Sequence, residues 1–186
     1  DPEQLFAAVA RLAQTGHWHH GQAVLRFRAA GHDEFLRTLA GKHGVEEFIE
    51  LLPPLPYRAA LEEMVRADAL LVLQASNCNE QIPAKIYEYC RAGRPIMGLI
   101  GVGGKTARFM AGEGLVHLAP LLERDAIVPV LRQFLTQLQD GTAPVVPLAR
   151  ALHFSRECRT AELAAVLNTV AAGGAVTRAA DNQGSR

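Results

Sequence analysis

The sequence predicts an α/β fold: a doubly wound parallel sheet with helices on both faces. Three observations carry this expectation. Apolar runs of strand length alternate with longer amphipathic runs, in regular β-α-β-α order. One of the short runs, "ALLVLQ", is uniformly apolar, the pattern of a strand buried on both faces of a parallel sheet. Glycines punctuate the segments, at Gly16, Gly31, Gly44 and Gly93. Parallel neighbours joined by helices require right-handed crossovers.

Each element has its own reason. Asp1 and Pro2 form an N-cap and N1 pair, and Leu5, Phe6, Val9 and Leu12 then fall on one helical face. "AVLRFRAAG" (23–31) reads as a strand closed by glycine. "HDEFLRTLAGKHG" is a short helix with Phe35, Leu36 and Leu39 on its apolar face. A strand is expected from Glu47 to Leu52, then the stiff loop "PPLP". "YRAALEEMVRAD" follows as a helix with Ala60, Leu61, Met64 and Val65 inward. Ala69–Leu73 is the expected central strand of a single sheet. A helix runs over Pro83–Ala92, stopped by Gly93, and "PIMGLI" is the next strand. "KTARFMAGEG" is helical, "LVHLA" a strand, residues 123–139 a helix, and a last helix spans Ser155–Ala171. Residues 1–172 are thus expected to form one Rossmann-like α/β domain. Residues 173–186, Gly- and Ala-rich and then polar, are expected to be a flexible tail.

Composition narrows the function. The chain has 186 residues, with 19 basic and 19 acidic side chains and a formal net charge of zero. No basic stripe is present, which argues against non-specific nucleic-acid binding. Cys78, Cys90 and Cys158 show no metal-type spacing and read as reduced thiols of a cytoplasmic protein. The first residues form an amphipathic helix rather than a leader, and no apolar run reaches membrane-spanning length. Any membrane association is expected to come from a part of the protein outside this chain.

In a parallel sheet, ligands bind outside the carboxyl ends of the strands. The loops to watch surround Gly31, Leu52–Pro56, Gln74–Pro83 and Gly101–Lys105. The richest is "NCNEQIPAKIYEYCRAGRPI" (77–96). Pro83 suits the first turn of a helix. Free amides and the helix dipole at that turn favour an anion, most naturally a phosphate. Glu80 stands just before the turn, and Glu88 lies about 7–8 Å along the helix axis from its start, at 1.5 Å per residue. Carboxylates accept hydrogen bonds, so hydroxyl-rich ligands such as sugars and riboses suit them, and Lys85 supplies a positive charge between the two. The same spacing equally allows Glu88 to pair with Lys85 or Arg91 along the helix.

This stretch resembles a known family. A glutamate, seven residues and a second glutamate, straddling the start of a helix, mark the donor-binding half of GT-B glycosyltransferases of retaining family 4. Here the motif reads Glu80-Gln-Ile-Pro-Ala-Lys-Ile-Tyr-Glu88. "IPAKIYEYCRAGRPI" is similar to a variant found in bacterial polysaccharide-synthesis transferases. "LRFRAAGHDEFL", "VEEFIELLPPLPYRAALEEMVRADALLVLQ" and "HFSRECRTAELAAVLNTV" resemble the surrounding parts, so the likeness covers most of residues 1–170.

The resemblance implies a Rossmann-like half of a GT-B fold. It also implies transfer of a sugar from a nucleotide diphosphate sugar to a hydroxyl acceptor with retained configuration, with no metal or other cofactor. Glu88 would hold the ribose hydroxyls. Glu80, with Lys85, would serve the chemistry at the donor sugar and its phosphates. Amides of Gln81, Ile82 and the turn at Pro83 would hold the diphosphate, and Leu52 and Pro53 would line the base. Where the common family form has glycines after the first glutamate, Gln81, Ile82 and Pro83 stand here, so a differently shaped sugar pocket is expected. The family's diphosphate-gripping arginine and lysine precede the first helix of this chain. The first strand and the N-terminal acceptor domain are therefore expected to lie outside it, as partners of an inactive isolated half. Two other classes use the same fold: a nucleotide-binding module without transfer, and a GT-B sugar-nucleotide epimerase.

Other signals are weaker. "GLIGVGGKTA" misses the P-loop spacing, because the required glycine position is held by Leu99. Gly103 and Gly104 leave a strand at the ligand face and either offer amides to the donor or simply form a flexible loop. His17, His19 and His20 in "GHWHHG" lack the partners that zinc needs. His32 either touches the donor site or caps the helix after it. Tyr57, Tyr87 and Tyr89 read as core or pocket wall.

Overall fold

The first helix shows how this chain builds its core. In the computed structural model, which describes residues 1–172, α1 (Glu3–Gln14) buries Leu5, Phe6, Ala8, Val9 and Leu12 along one stripe. The Asp1 carboxylate accepts the Glu3 amide at 3.0 Å, so it caps the helix from one residue further out than expected, with Pro2 at the N-cap. There follow β1 (Leu25–Arg28), α2 (Asp33–His43), β2 (Ile49–Leu52), α3 (Tyr57–Arg66), β3 (Leu70–Leu73), α4 (Lys85–Ala92) and β4 (Ile96–Leu99). The described chain ends with α5 (Lys105–Gly112), β5 (Leu118–Ala119), α6 (Arg124–Gln139), α7 (Leu148–Leu152) and α8 (Arg156–Ala171). The expected tail lies outside the described residues.

The architecture is α/β with parallel strands. β1 pairs with β2 in one two-stranded sheet, and β3, β4 and β5 form a second sheet in that order. Two expectations are corrected here. The described strands fall into two small sheets rather than one. β3 lies at the edge of its sheet, and β4, buried at all four positions, is its centre. An apolar run reports that both faces of a strand are covered; it carries no information about its edges.

Alternation along the strands sorts the core into two layers. Leu71 and Leu73 of β3 and Met97 and Leu99 of β4 pack on one side with α1, α2 and α6. Leu25 and Phe27 of β1 and Ile49 and Leu51 of β2 join that same cluster. On the other side, Leu70, Val72 and Ile96 meet Ile86 and Cys90 of α4, Met110 of α5 and Ala151 of α7. Gly98 in β4 makes room for α5, since a Cβ there would stand 2.9 Å from Leu118 and 3.2 Å from the Met110 sulfur. Pro129 sits inside α6, where proline ordinarily costs about 3 kcal/mol. Burial of Ile127, Leu131, Phe134 and Leu135 offsets it.

Smaller corrections follow from packing. Phe35 is exposed rather than on the inner face of α2. No residue of α3 is fully buried, and Val65 is exposed. Glu46–Phe48 is a 3-10 turn where the strand was expected to begin, and α7 was not anticipated. In "GHWHHG" the structural residue is Trp18: it is buried, donates its indole N–H to the Ala23 carbonyl at 3.0 Å and meets Phe48 edge-on.

Candidate functional site

Two loops leave the carboxyl ends of adjacent strands and lock together. The first, residues 74–84, runs from β3 to α4; the second, residues 100–104, runs from β4 to α5. Gln74 extends the ladder, its amide donating to the Leu99 carbonyl at 3.0 Å. Its buried side-chain amide turns into the loop and donates to the carbonyls of Cys78 (2.5 Å) and Gln81 (3.1 Å). From the other loop, the Lys105 amide donates to the Asn79 carbonyl at 2.8 Å, and the buried Thr106 hydroxyl donates to the Gln81 carbonyl at 2.9 Å.

This contact explains the glycine-rich stretch. A Cβ on Gly101 would fall 2.2 Å from the Asn79 side-chain oxygen, and one on Gly104 would stand 3.2 Å from the Asn79 carbonyl. The glycines admit Asn79 against the main chain. Gly103 has φ +76°, a left-handed conformation that glycine adopts freely. The Gly104 N–H donates to the Gly101 carbonyl at 3.3 Å and is spent within the loop. The Gly103 carbonyl accepts from Arg108.

The predicted site residues divide accordingly. Glu80 is exposed and pairs with Lys105 across the two loops, Nζ to Oε2 at 3.4 Å. The Gln81 amide donates to Cys78 and is not free, which corrects its expected role. Pro83 precedes α4 by two residues, rather than standing in its first turn, because Ala84 takes the N-cap. The Pro83 and Ala84 carbonyls accept from Ile86 and Tyr87 in a tight first turn. Among the described residues, the amides of Ile82, Ala84 and Lys85 have no protein acceptor. Lys85 and Glu88 are both exposed on α4, three residues apart and hence on one face. Glu88 makes no ion pair with Lys85 or Arg91 among the described residues. Burial, and then the charge of Glu88, raise the pKa of the Tyr89 hydroxyl.

Leu52 ends β2 and Pro53 follows it. The Leu52 carbonyl accepts from Ala29, and the Pro53 carbonyl accepts from Arg28 at 2.7 Å. Arg28 also grips Glu63 of α3, and that hydrogen bond holds the Glu63 carboxyl below its ordinary range. Tyr87 packs against Phe109 and Phe154, while Tyr57 is exposed. A cleft of about 180 Å³ adjoins the second loop, lined by Ile100, Val102, Gly103, Ala107, Leu118 and Ala119. Another, of about 290 Å³, runs along α3 and includes none of the predicted site residues.

The sequence reading missed Lys105, Thr106, Gln74 and Asn79. The signal for two of them lies in the sequence: "GGKT" opens a helix at a strand end. Among the described residues, no group of three or more His, Cys, Asp or Glu side chains gathers to hold a metal ion. His20 stands 3.8 Å from Glu47 on the surface, and the His17 ring meets the Thr15 hydroxyl at 3.0 Å. No described helix is long and apolar enough to cross a membrane. Compared with models of known protein families and with curated proteins, the chain matches none.

Proposed function

We propose that this chain is the nucleotide-sugar-binding half of a retaining glycosyltransferase with a doubly wound, GT-B type architecture. In this reading the protein works on the cytoplasmic side in bacterial polysaccharide or cell-surface glycan synthesis. It moves a sugar from a nucleoside diphosphate to a hydroxyl of an acceptor bound by a partner domain. The observation that carries the proposal is the meeting of the two strand-end loops, which pair Glu80 with Lys105 just ahead of α4. An exposed ion pair contributes only about 0–1 kcal/mol. Stability alone therefore gives little reason to hold these two charges together with so many loop hydrogen bonds.

The roles follow from charge. Lys85 occupies the first position of α4, where a cation opposes the helix dipole. A bound diphosphate would reverse that penalty and would also use the unpartnered amides of Ile82, Ala84 and Lys85. Lys105, at the start of α5 and paired with Glu80, supplies a second cation. Together they would stabilise the charge that develops on the departing diphosphate. Glu88, on the same face of α4 as Lys85, accepts the ribose hydroxyls. Glu80 faces the donor sugar, and Leu52 and Pro53 lie beside the base.

The test is donor kinetics in a protein carrying this chain joined to its acceptor-binding part. Hydrogen bonds to charged groups are worth about 1.5–3 kcal/mol each. Glu88→Gln and Lys105→Met should each weaken donor use by roughly ten- to a hundredfold, at about 1.4 kcal/mol per tenfold. Melting temperature should stay nearly constant, because both side chains are exposed. Unchanged donor KM and kcat in both variants would remove the site.

A further inference from the structure

We propose that Thr106 and Gln74 are positioning residues for Glu80, acting through the Gln81 carbonyl that follows it and, for Gln74, also through the Cys78 carbonyl two residues before it. The proposal rests on the reading of Glu80 as part of a donor site. Glu80 lies between Asn79 and Gln81. The Asn79 carbonyl is held by the Lys105 amide at 2.8 Å, and the Gln81 carbonyl by the Thr106 hydroxyl at 2.9 Å. Both main-chain flanks of Glu80 are thus fixed by consecutive residues at the start of α5. Thr106 is the second residue of α5, where no carbonyl of its own helix lies four residues back, whereas Thr136, deep in α6, bonds back to Arg132. Buried at 2% exposure, Thr106 places its one donor on the other loop, at the Gln81 carbonyl.

Gln74 completes the clamp from the strand side. Its side-chain N–H groups reach the carbonyls of Cys78 and Gln81, so the Gln81 carbonyl accepts two hydrogen bonds and uses both its lone pairs. The carbonyls on both sides of Glu80 therefore point into the protein. The Glu80 side chain projects outward, where Lys105 meets it. Because Lys105 and Thr106 are adjacent, the residue that anchors the loop and the cation that pairs with Glu80 move as one unit. The clamp thereby couples the position of the carboxylate to that of its cation.

The test uses the full 186-residue chain, with uridine, guanosine and adenosine diphosphates as probes. Thr106→Val keeps the shape and removes the donor, Thr106→Ser restores it, and Gln74→Met removes the second arm. Thr136→Val is the control for a helical threonine hydroxyl. Calorimetric binding and amide exchange at residues 80–84 are read in each. Thr106→Val and Gln74→Met are expected to raise the Kd of the diphosphate that the wild type binds by about tenfold, and to speed loop exchange by a similar factor. Thr106→Ser should restore both values, and Thr136→Val should change neither. Loop exchange that quickens with no change in Kd would make the clamp merely structural and overturn the proposal, as would wild-type behaviour in both readouts. If the wild type binds none of the probes, the donor-site reading fails. The positioning role then falls with it, because faster loop exchange alone marks a merely structural clamp.

Discussion

Among single residues, His117 carries the clearest cost. It is buried against the Phe134 ring, at 4.9 Å between centroids, and both ring nitrogens lack hydrogen-bond partners among the described residues. Burial lowers its pKa from the ordinary 6.5 and outweighs the opposing pull of the nearby Gln137 side chain, so the folded protein favours the neutral imidazole where the unfolded chain would protonate it. The unfolded state then binds more protons over the window between the lowered value and 6.5. Stability is therefore complete above that window and is lost as pH falls through it. His117→Leu should flatten the fall in urea midpoint between about pH 7.5 and about pH 5. An identical slope in the variant would show that His117 is not the group responsible. Residue-scale chemistry was only half legible in the sequence. In "GHWHHG" the three histidines drew attention as potential ligands, whereas Trp18 between them anchors the segment. Burial of one ring depends on Phe48, thirty residues further on, which local pattern cannot reveal.

Among elements, α8 stands apart. Its sequence signals were sound: Ser155 caps it, with the hydroxyl accepting the Cys158 amide at 3.2 Å, and the helix ends at Ala171 as expected. Yet no residue of α8 is buried, and Leu163, Val166, Leu167 and Val170 all face outward. Periodicity predicts a helix and a stripe; it does not say what meets the stripe. Helices of this length without packing are marginal in water. Amide exchange within α8 should therefore be faster than in α6 by at least about a hundredfold, α6 being held by four buried side chains. Equal protection in the two would show that something covers α8. The same limit applied to β3, where apolarity reported two covered faces and said nothing of the missing neighbour. The short α7 and the turn at Glu46–Phe48 escaped because three to five residues give no measurable period.

For the molecule as a whole, parallel strands bring their carboxyl ends together, and that rule points to the loops that leave those ends. It named the loops at Gln74–Pro83 and Gly101–Lys105, and these are the loops that interlock. The internal wiring was not legible. That Asn79 enters between Gly101 and Gly104, or that Thr106 reaches Gln81, depends on the approach of two segments more than twenty residues apart. The central claim is that this junction binds a nucleoside diphosphate. Titration of the ¹⁵N-labelled chain with nucleoside diphosphates and their sugar conjugates, followed by amide chemical shifts, tests it most directly. The account predicts saturable shifts concentrated at residues 79–88 and 101–107, abolished by Lys105→Met and reduced by Glu88→Gln. No saturable shift with any of these ligands, or shifts gathered along α3 instead, would contradict it.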